Sequence, residues 1–244
     1  MTMDGLYEVH DVSEYVHRNL PLPEFHIQNL LAKGGSMLIY GGAGVRKSWL
    51  AQDLGFCVAT GVNWLGFQTV QDRVLIANFE ISPLAYAVMR LRPMERQFQL
   101  QPMMLYELSP GNVSLDVPES FNRFAASIRP FQPKVIILDC LQGCYSGDEN
   151  DMERAGVWIR NVGELQREFG ASVVIIHHSN KSLLASGMGR VRGTTRFTAW
   201  VDTVIHMAEQ PTGIQLQFEK YRLSMMPDIH NINVRFQDYV WRVE

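Results

Sequence analysis

The chain has 244 residues, 46% hydrophobic and 19% charged, so it can bury a substantial core, and wholesale disorder is excluded. A formal charge of -3 places no global demand for nucleic acid on the protein and leaves only local basic patches for that role. Three cysteines, Cys57, Cys140 and Cys144, make neither a disulfide framework nor a zinc pattern, which fits a reducing cytoplasm.

Residues 1–30 read as a helical or irregular lead-in ending in the amphipathic piece "FHIQNLLAKGG", and residues 31–244 as one domain. The polar, acidic start excludes a signal peptide, and no apolar run is long enough to cross a bilayer. "SMLIY" (36–40) is a buried strand, and a glycine loop and a helix of about 14 residues from near Lys47 follow it. "DRVLIANFE" (72–80) is a second apolar strand, and Ser82-Pro83 opens a helix over "SPLAYAVMRLRPM". "PMMLYEL" is a weaker strand and "VPESFNRFAASIRP" a helix. "PKVIILDC" (133–140) and "ASVVIIHH" (171–178) are buried strands. Between them lies a helix capped by Asn150 or Asp151 and stopped at Gly170. Beyond Asp202, "DTVIHMAE", "GIQLQFEKYRL" and "NINVRFQDYVWRV" read as antiparallel hairpins. Strands apolar on both faces, alternating with helices, predict an α/β fold. Its mainly parallel, twisted sheet would carry helices on both faces and be extended at one edge by the C-terminal hairpins.

The loop Gly41-Gly42-Ala43-Gly44-Val45-Arg46-Lys47-Ser48-Trp49 nearly spells a phosphate-binding loop, with Arg46 in place of the usual second glycine. Backbone N–H groups and the following helix N-terminus would face phosphates, Lys47 would reach the β- and γ-phosphates, and Ser48 would hold Mg²⁺. The plain alternative is a glycine-rich turn with an exposed lysine. Arg46 is compatible with the loop if its φ is ordinary helical and its Cβ points away; the side chain would then turn outward or add a phosphate contact.

Asp139 ends a buried strand about 90 residues after the loop, where a magnesium-water ligand would sit, although strands also end in Asp as a turn former. Glu80 ends the strand after the loop and could orient and deprotonate an attacking water, or be a surface ion-pair partner. His177 and His178 stand at a strand tip, where one could touch a γ-phosphate; adjacent strand residues face opposite ways, so they seldom share a metal. Residues 181–196 carry Lys181, Arg190, Arg192 and Arg196 and no acid, which suits a nucleic acid backbone or a solvated loop. Lys220 and Arg222, two apart on a strand, share a face and could reach a neighbour's γ-phosphate or simply face solvent.

Together these segments resemble a RecA-fold P-loop ATPase, nearest to the group of RepA-type plasmid helicases and their AAA-family relatives, with DnaB-type helicases and KaiC-type ATPases more distant. The resemblance rests on "GGAGVRKSWLAQDLGFCVATG", "VIILDCLQGCYSGDENDME", "VVIIHHSNKS" and "RVRGTTRF" in this order. It implies ATP and Mg²⁺ at Lys47, Ser48 and Asp139, with Glu80 as base and His178, or less surely His177, as γ-phosphate sensor. It further implies a trans finger at Arg192 or at the Lys220/Arg222 pair. A trans finger implies a homo-oligomer, by resemblance a hexamer. The functions expected are a ring motor on single-stranded DNA working with replication or recombination partners, or a nucleotide-gated assembly factor that moves no DNA.

Overall fold

The computed structural model describes residues 9–148, 151–179, 195–223 and 229–244. In chain order the helices are α1 (Val12–His17), α2 (Lys47–Thr60), α3 (Pro83–Tyr86), α4 (Arg92–Glu95), α5 (Pro118–Ile128), α6 (Met152–Phe169) and α7 (Arg196–Trp200). The strands are β1 (Phe25–Ile27), β2 (Leu31–Ala32), β3 (Ser36–Gly41), β4 (Val74–Asn78), β5 (Leu105–Leu108), β6 (Val135–Asp139), β7 (Ser172–His178), β8 (Thr203–Gln210), β9 (Gly213–Tyr221), β10 (Ile232–Gln237) and β11 (Val240–Val243).

Among the described residues, nine strands form one sheet in the order β11-β10-β9-β8-β3-β7-β6-β4-β5. From β5 to β8 the pairings are parallel, and from β8 to β11 antiparallel. The predicted α/β architecture and its hairpin edge are therefore present. The strands β3, β4 and β6 are buried at every position, as a parallel sheet covered on both faces requires. One face packs on α2, which is buried along most of its length because it contacts both the parallel strands and β11 of the same sheet. The other face packs on α5, α6 and α7, with Trp158, Phe169 and Phe197 filling the layer. Asp151 caps α6 by accepting from the Glu153 and Arg154 backbone N–H groups, and Gly170 ends it at φ +59°. Asn150, the other expected cap, lies outside the described residues. No described helix is long and apolar enough to cross a membrane.

Two local expectations change. The amphipathic piece before β3 forms a two-stranded hairpin, with Phe25 facing Ala32 and Ile27 facing Leu31. Asn29, at φ +64°, turns the chain there, and the hairpin is tied down by a 2.6 Å bond from the Thr203 hydroxyl to the Leu30 carbonyl. The segment after Pro83 is helical but interrupted by a π-helical turn over Ala87–Leu91. Such turns re-aim a side chain by one position, and here that side chain is Arg90.

Candidate phosphate-binding site

β3 ends between β7 and β8, with Gly41 level with both His178 and Met207. A Cβ on Gly41 would lie 2.8 Å from the Met207 carbonyl oxygen, so this first loop residue has to be glycine. The loop then passes through Gly42 and the exposed Ala43 and Gly44, tucks Val45 into the core, and starts α2 at Lys47. Gly44 has φ +85°.

Arg46 departs from expectation in one respect. Its backbone is left-handed (φ 65°, ψ 38°), not helical, a conformation uncommon for a residue other than glycine. The side chain does turn outward, with its guanidinium carbon 4.7 Å from the centre of the Phe236 ring on β10.

Lys47 is buried, and its ammonium donates to the carbonyls of Gly42 (2.8 Å) and Gly41 (3.1 Å). Burial lowers its pKa, and the carboxyls of Glu80 and Asp139 oppose that shift. The Ser48 hydroxyl donates to Asp139 Oδ1 at 3.0 Å. The first turn of α2 and the tip of β6, 91 residues apart in the chain, are therefore in direct contact. Asp139 is buried, and burial pushes its carboxyl up to about 6, with the Ser48 bond partly offsetting this.

Glu80 lies two residues past β4 rather than on it. Asn78 sets the turn: its side-chain oxygen accepts from the backbone N–H of Ile81 (3.1 Å) and Glu80 (3.3 Å), and its amide donates to the Ile81 carbonyl (2.7 Å). The turn carries the half-exposed Glu80 carboxylate back over β6. There Cys140 Sγ donates to Glu80 Oε1 at 3.1 Å, and His178 Nε2 stands 3.8 Å from the same oxygen. The His178 imidazole above all, with help from the Cys140 thiol, holds Glu80 down to about 2 against the opposing effect of burial. His177 faces the other side of the sheet, 6.2 Å from the Phe197 ring. The two histidines thus divide between the faces, and His178 is the one in the site.

Arg90 was not predicted. From the π-helical turn its guanidinium lies 4.3 Å from the centre of the Trp49 ring, and Nη1 is buried without a hydrogen-bond partner among the described residues. Together with Lys47, Ser48, Glu80, Asp139 and His178 it lines a cavity of about 210 Å³ at the carboxyl ends of the parallel strands. The Ser48 hydroxyl and the Asp139 carboxyl oxygen, 3.0 Å apart, form a hard oxygen donor pair that fits Mg²⁺.

The remaining predicted residues lie elsewhere. Lys220 donates to the carbonyls of Thr198 (2.8 Å), Ala199 (3.0 Å) and Val201. Arg222 bonds the Ala199 carbonyl (3.0 Å) and Asp202 Oδ1 (3.2 Å). The pair shares one face, as expected, and that face is turned to the C-terminal end of α7. Arg196 opens α7 with its guanidinium against Gly156 of α6, where an added Cβ would lie 2.7 Å from Nη1. Lys181, Arg190 and Arg192 lie outside the described residues.

The family model described as "AAA domain" matches residues 9–183, which contain the loop, Glu80, Asp139 and His178. A comparison with curated proteins returns no match.

Proposed function

The chain belongs to the AAA domain family, whose members are P-loop ATPases, and on that premise we propose that it is an ATP-hydrolysing ring motor acting on single-stranded DNA. The observation that carries the ATPase half is the convergence of Lys47, Ser48, Asp139, Glu80 and His178 on one small cavity. Lys47 and the loop N–H groups neutralise the β- and γ-phosphates. Ser48 and Asp139 would hold Mg²⁺, which would supply Lewis-acid neutralisation of the phosphate oxygens. Glu80, ionised across the physiological range, accepts a hydrogen bond from the attacking water and aims it in line. His178 links Glu80 to the γ-phosphate, and Arg90 adds a cation from its own chain.

The DNA half rests on the basic stretch of residues 181–196. The hexamer rests on the need for a cation in trans, with Arg192, Lys220 and Arg222 as its sources. ATPase activity with and without single-stranded DNA, paired with a mass measurement in ATP, tests the reading. Stimulation is expected, and it should vanish when Lys181, Arg190 and Arg196 are changed together to Ala while ATP binding is kept. Stimulation that survives this triple change removes the basic stretch from the reading.

One observation favours the alternative, a nucleotide-gated assembly factor. Lys220 and Arg222 are both bound within their own chain to α7, which directly follows the basic stretch. Nucleotide that draws them away would switch α7 without moving DNA. An ATPase indifferent to DNA whose mass nevertheless changes with ATP would select this reading.

A further inference from the structure

A second cavity, about 470 Å³, opens on the other side of the glycine loop and shares Gly44 and Arg46 with the phosphate cavity. Its walls are the loop, the β8–β9 turn and β10. Ile214, Phe236 and Trp241 form an apolar side, and Gln210 and Thr212 stand at the polar edge. The volume suits a purine with its ribose, and the mixture of flat apolar surface with a few polar groups is what a nucleoside needs.

The wall nearest the loop is built from aromatic rings packed at tilted angles. Phe236 lies 5.0 Å from Trp49 and 5.3 Å from Trp241, and the Arg46 guanidinium lies over its face. The hairpin that presents Phe236 turns through Asp238 and Tyr239, both at positive φ with neither a glycine. That turn brings Tyr239 5.8 Å from Trp49. Two segments in backbone conformations unfavourable for their residues therefore meet across this wall: the hairpin turn and the loop at Arg46.

We propose that this cavity takes the nucleoside half of the bound triphosphate, with the base stacked on the Arg46 guanidinium, which is backed in turn by Phe236. The residue that departs from the usual loop pattern is then a base-recognition residue, and this rests on the loop binding phosphates as proposed above. Flat, delocalised and always charged, a guanidinium offers one face to Phe236 and the other to a base. Gln210 and Thr212 supply hydrogen bonds at the base or ribose edge.

The test separates the two halves of the ligand. Calorimetric titrations with ATP and with inorganic tripolyphosphate, both with Mg²⁺, are compared for the wild type, Arg46→Gly, Phe236→Leu and Ile214→Trp, with thermal melts to confirm folding. Arg46→Gly restores the common loop pattern and relieves a left-handed arginine, yet it is expected to weaken ATP about tenfold and leave tripolyphosphate within about twofold. Phe236→Leu removes the backing ring and Ile214→Trp fills the cavity from β9, away from the loop; both should show the same split. Parallel weakening of both ligands would make Arg46 a phosphate contact and overturn the proposal, as would unchanged ATP affinity in the three variants. Failure of the wild type to bind either ligand sinks the phosphate-loop reading instead.

Discussion

The two halves of the sheet, divided at β8, use strands for different purposes. In the parallel half every strand points its carboxyl end the same way, so Gly41, Asn78, Asp139 and His178 all arrive at one rim. Residues far apart in sequence thereby become neighbours, with Asn78 directly level with Asp139. In the antiparallel half alternate strands point in opposite directions, and no such convergence is possible. There Leu216 and Val234 are buried on one face while the residues beside them on their strands are partly or fully exposed. The parallel half concentrates functional groups, and the antiparallel half clasps α2 and forms a wall beside the loop. A change at the rim of the first half should therefore alter chemistry with little effect on stability, and a change where the second half clasps α2 should do the reverse.

The largest test of this division is Glu80→Gln. The carboxylate is half exposed, and its neighbours Cys140 and His178 can accommodate an amide. Hydrolysis is expected to fall about 10²- to 10⁴-fold, with ATP affinity and thermal midpoint nearly unchanged. Steady-state ATPase rates and equilibrium ATP binding read the two separately. A matching loss of binding would mean that Glu80 builds the site rather than working in it.

The next test lies where the two halves touch. Asp53 of α2 is buried beside β11, and burial pushes its carboxyl up to about 7, with the nearby Trp241 backbone and Trp64 side chain partly opposing the shift. The folded state therefore holds a proton that the unfolded chain, whose aspartates ionise near the ordinary value of 3.8, gives up much earlier. Its contribution to stability is intact below about pH 4 and is lost as the pH rises through 7, a change of about 4 kcal/mol. Urea unfolding at pH 5 and pH 8 should show the decline, and Asp53→Asn should remove most of it. Asp139, pushed up to about 6, adds to the same slope, so the diagnostic quantity is the part that Asp53→Asn removes. An unchanged slope in that variant would place the titration elsewhere.

Much of this division could be read from the sequence, because it follows from apolar runs and their order. "SMLIY", "VIILD" and "VVIIHH" are apolar through and through, which only strands covered on both faces tolerate, and acids or histidines at their ends mark the rim. Less legible was anything decided by a backbone dihedral. The spacing of Phe25, Ile27, Leu30 and Leu31 suits a helix as well as a hairpin, and the left-handed Asn29 decides between them. Arg90 was hidden because a π-helical turn shifts the facing of its side chain by one position relative to the α-helical period. Asn78 reads as one more strand residue, although its side chain builds the turn that carries Glu80. Arg46 is left-handed, and no propensity of arginine announces it.

The smallest effect concerns Lys220, where the sequence indicated the face but not the partner. Its ammonium satisfies three carbonyls at the end of a helix only five residues long, which cannot hold itself together without tertiary support. Lys220→Met keeps the length of the side chain and removes the donor, leaving those carbonyls to water or to Arg222. A loss of about 1–3 kcal/mol is expected. It should appear as local opening, with faster hydrogen exchange across α7 and no change in the exchange of β3 or β6. If Lys220 also leaves α7 to serve a neighbouring subunit, the wild type should show the same faster exchange once ATP is added. Protection of α7 that ignores both the substitution and the nucleotide would mean that this end of the helix is held by Phe197 and Trp200 packing on Trp158 alone.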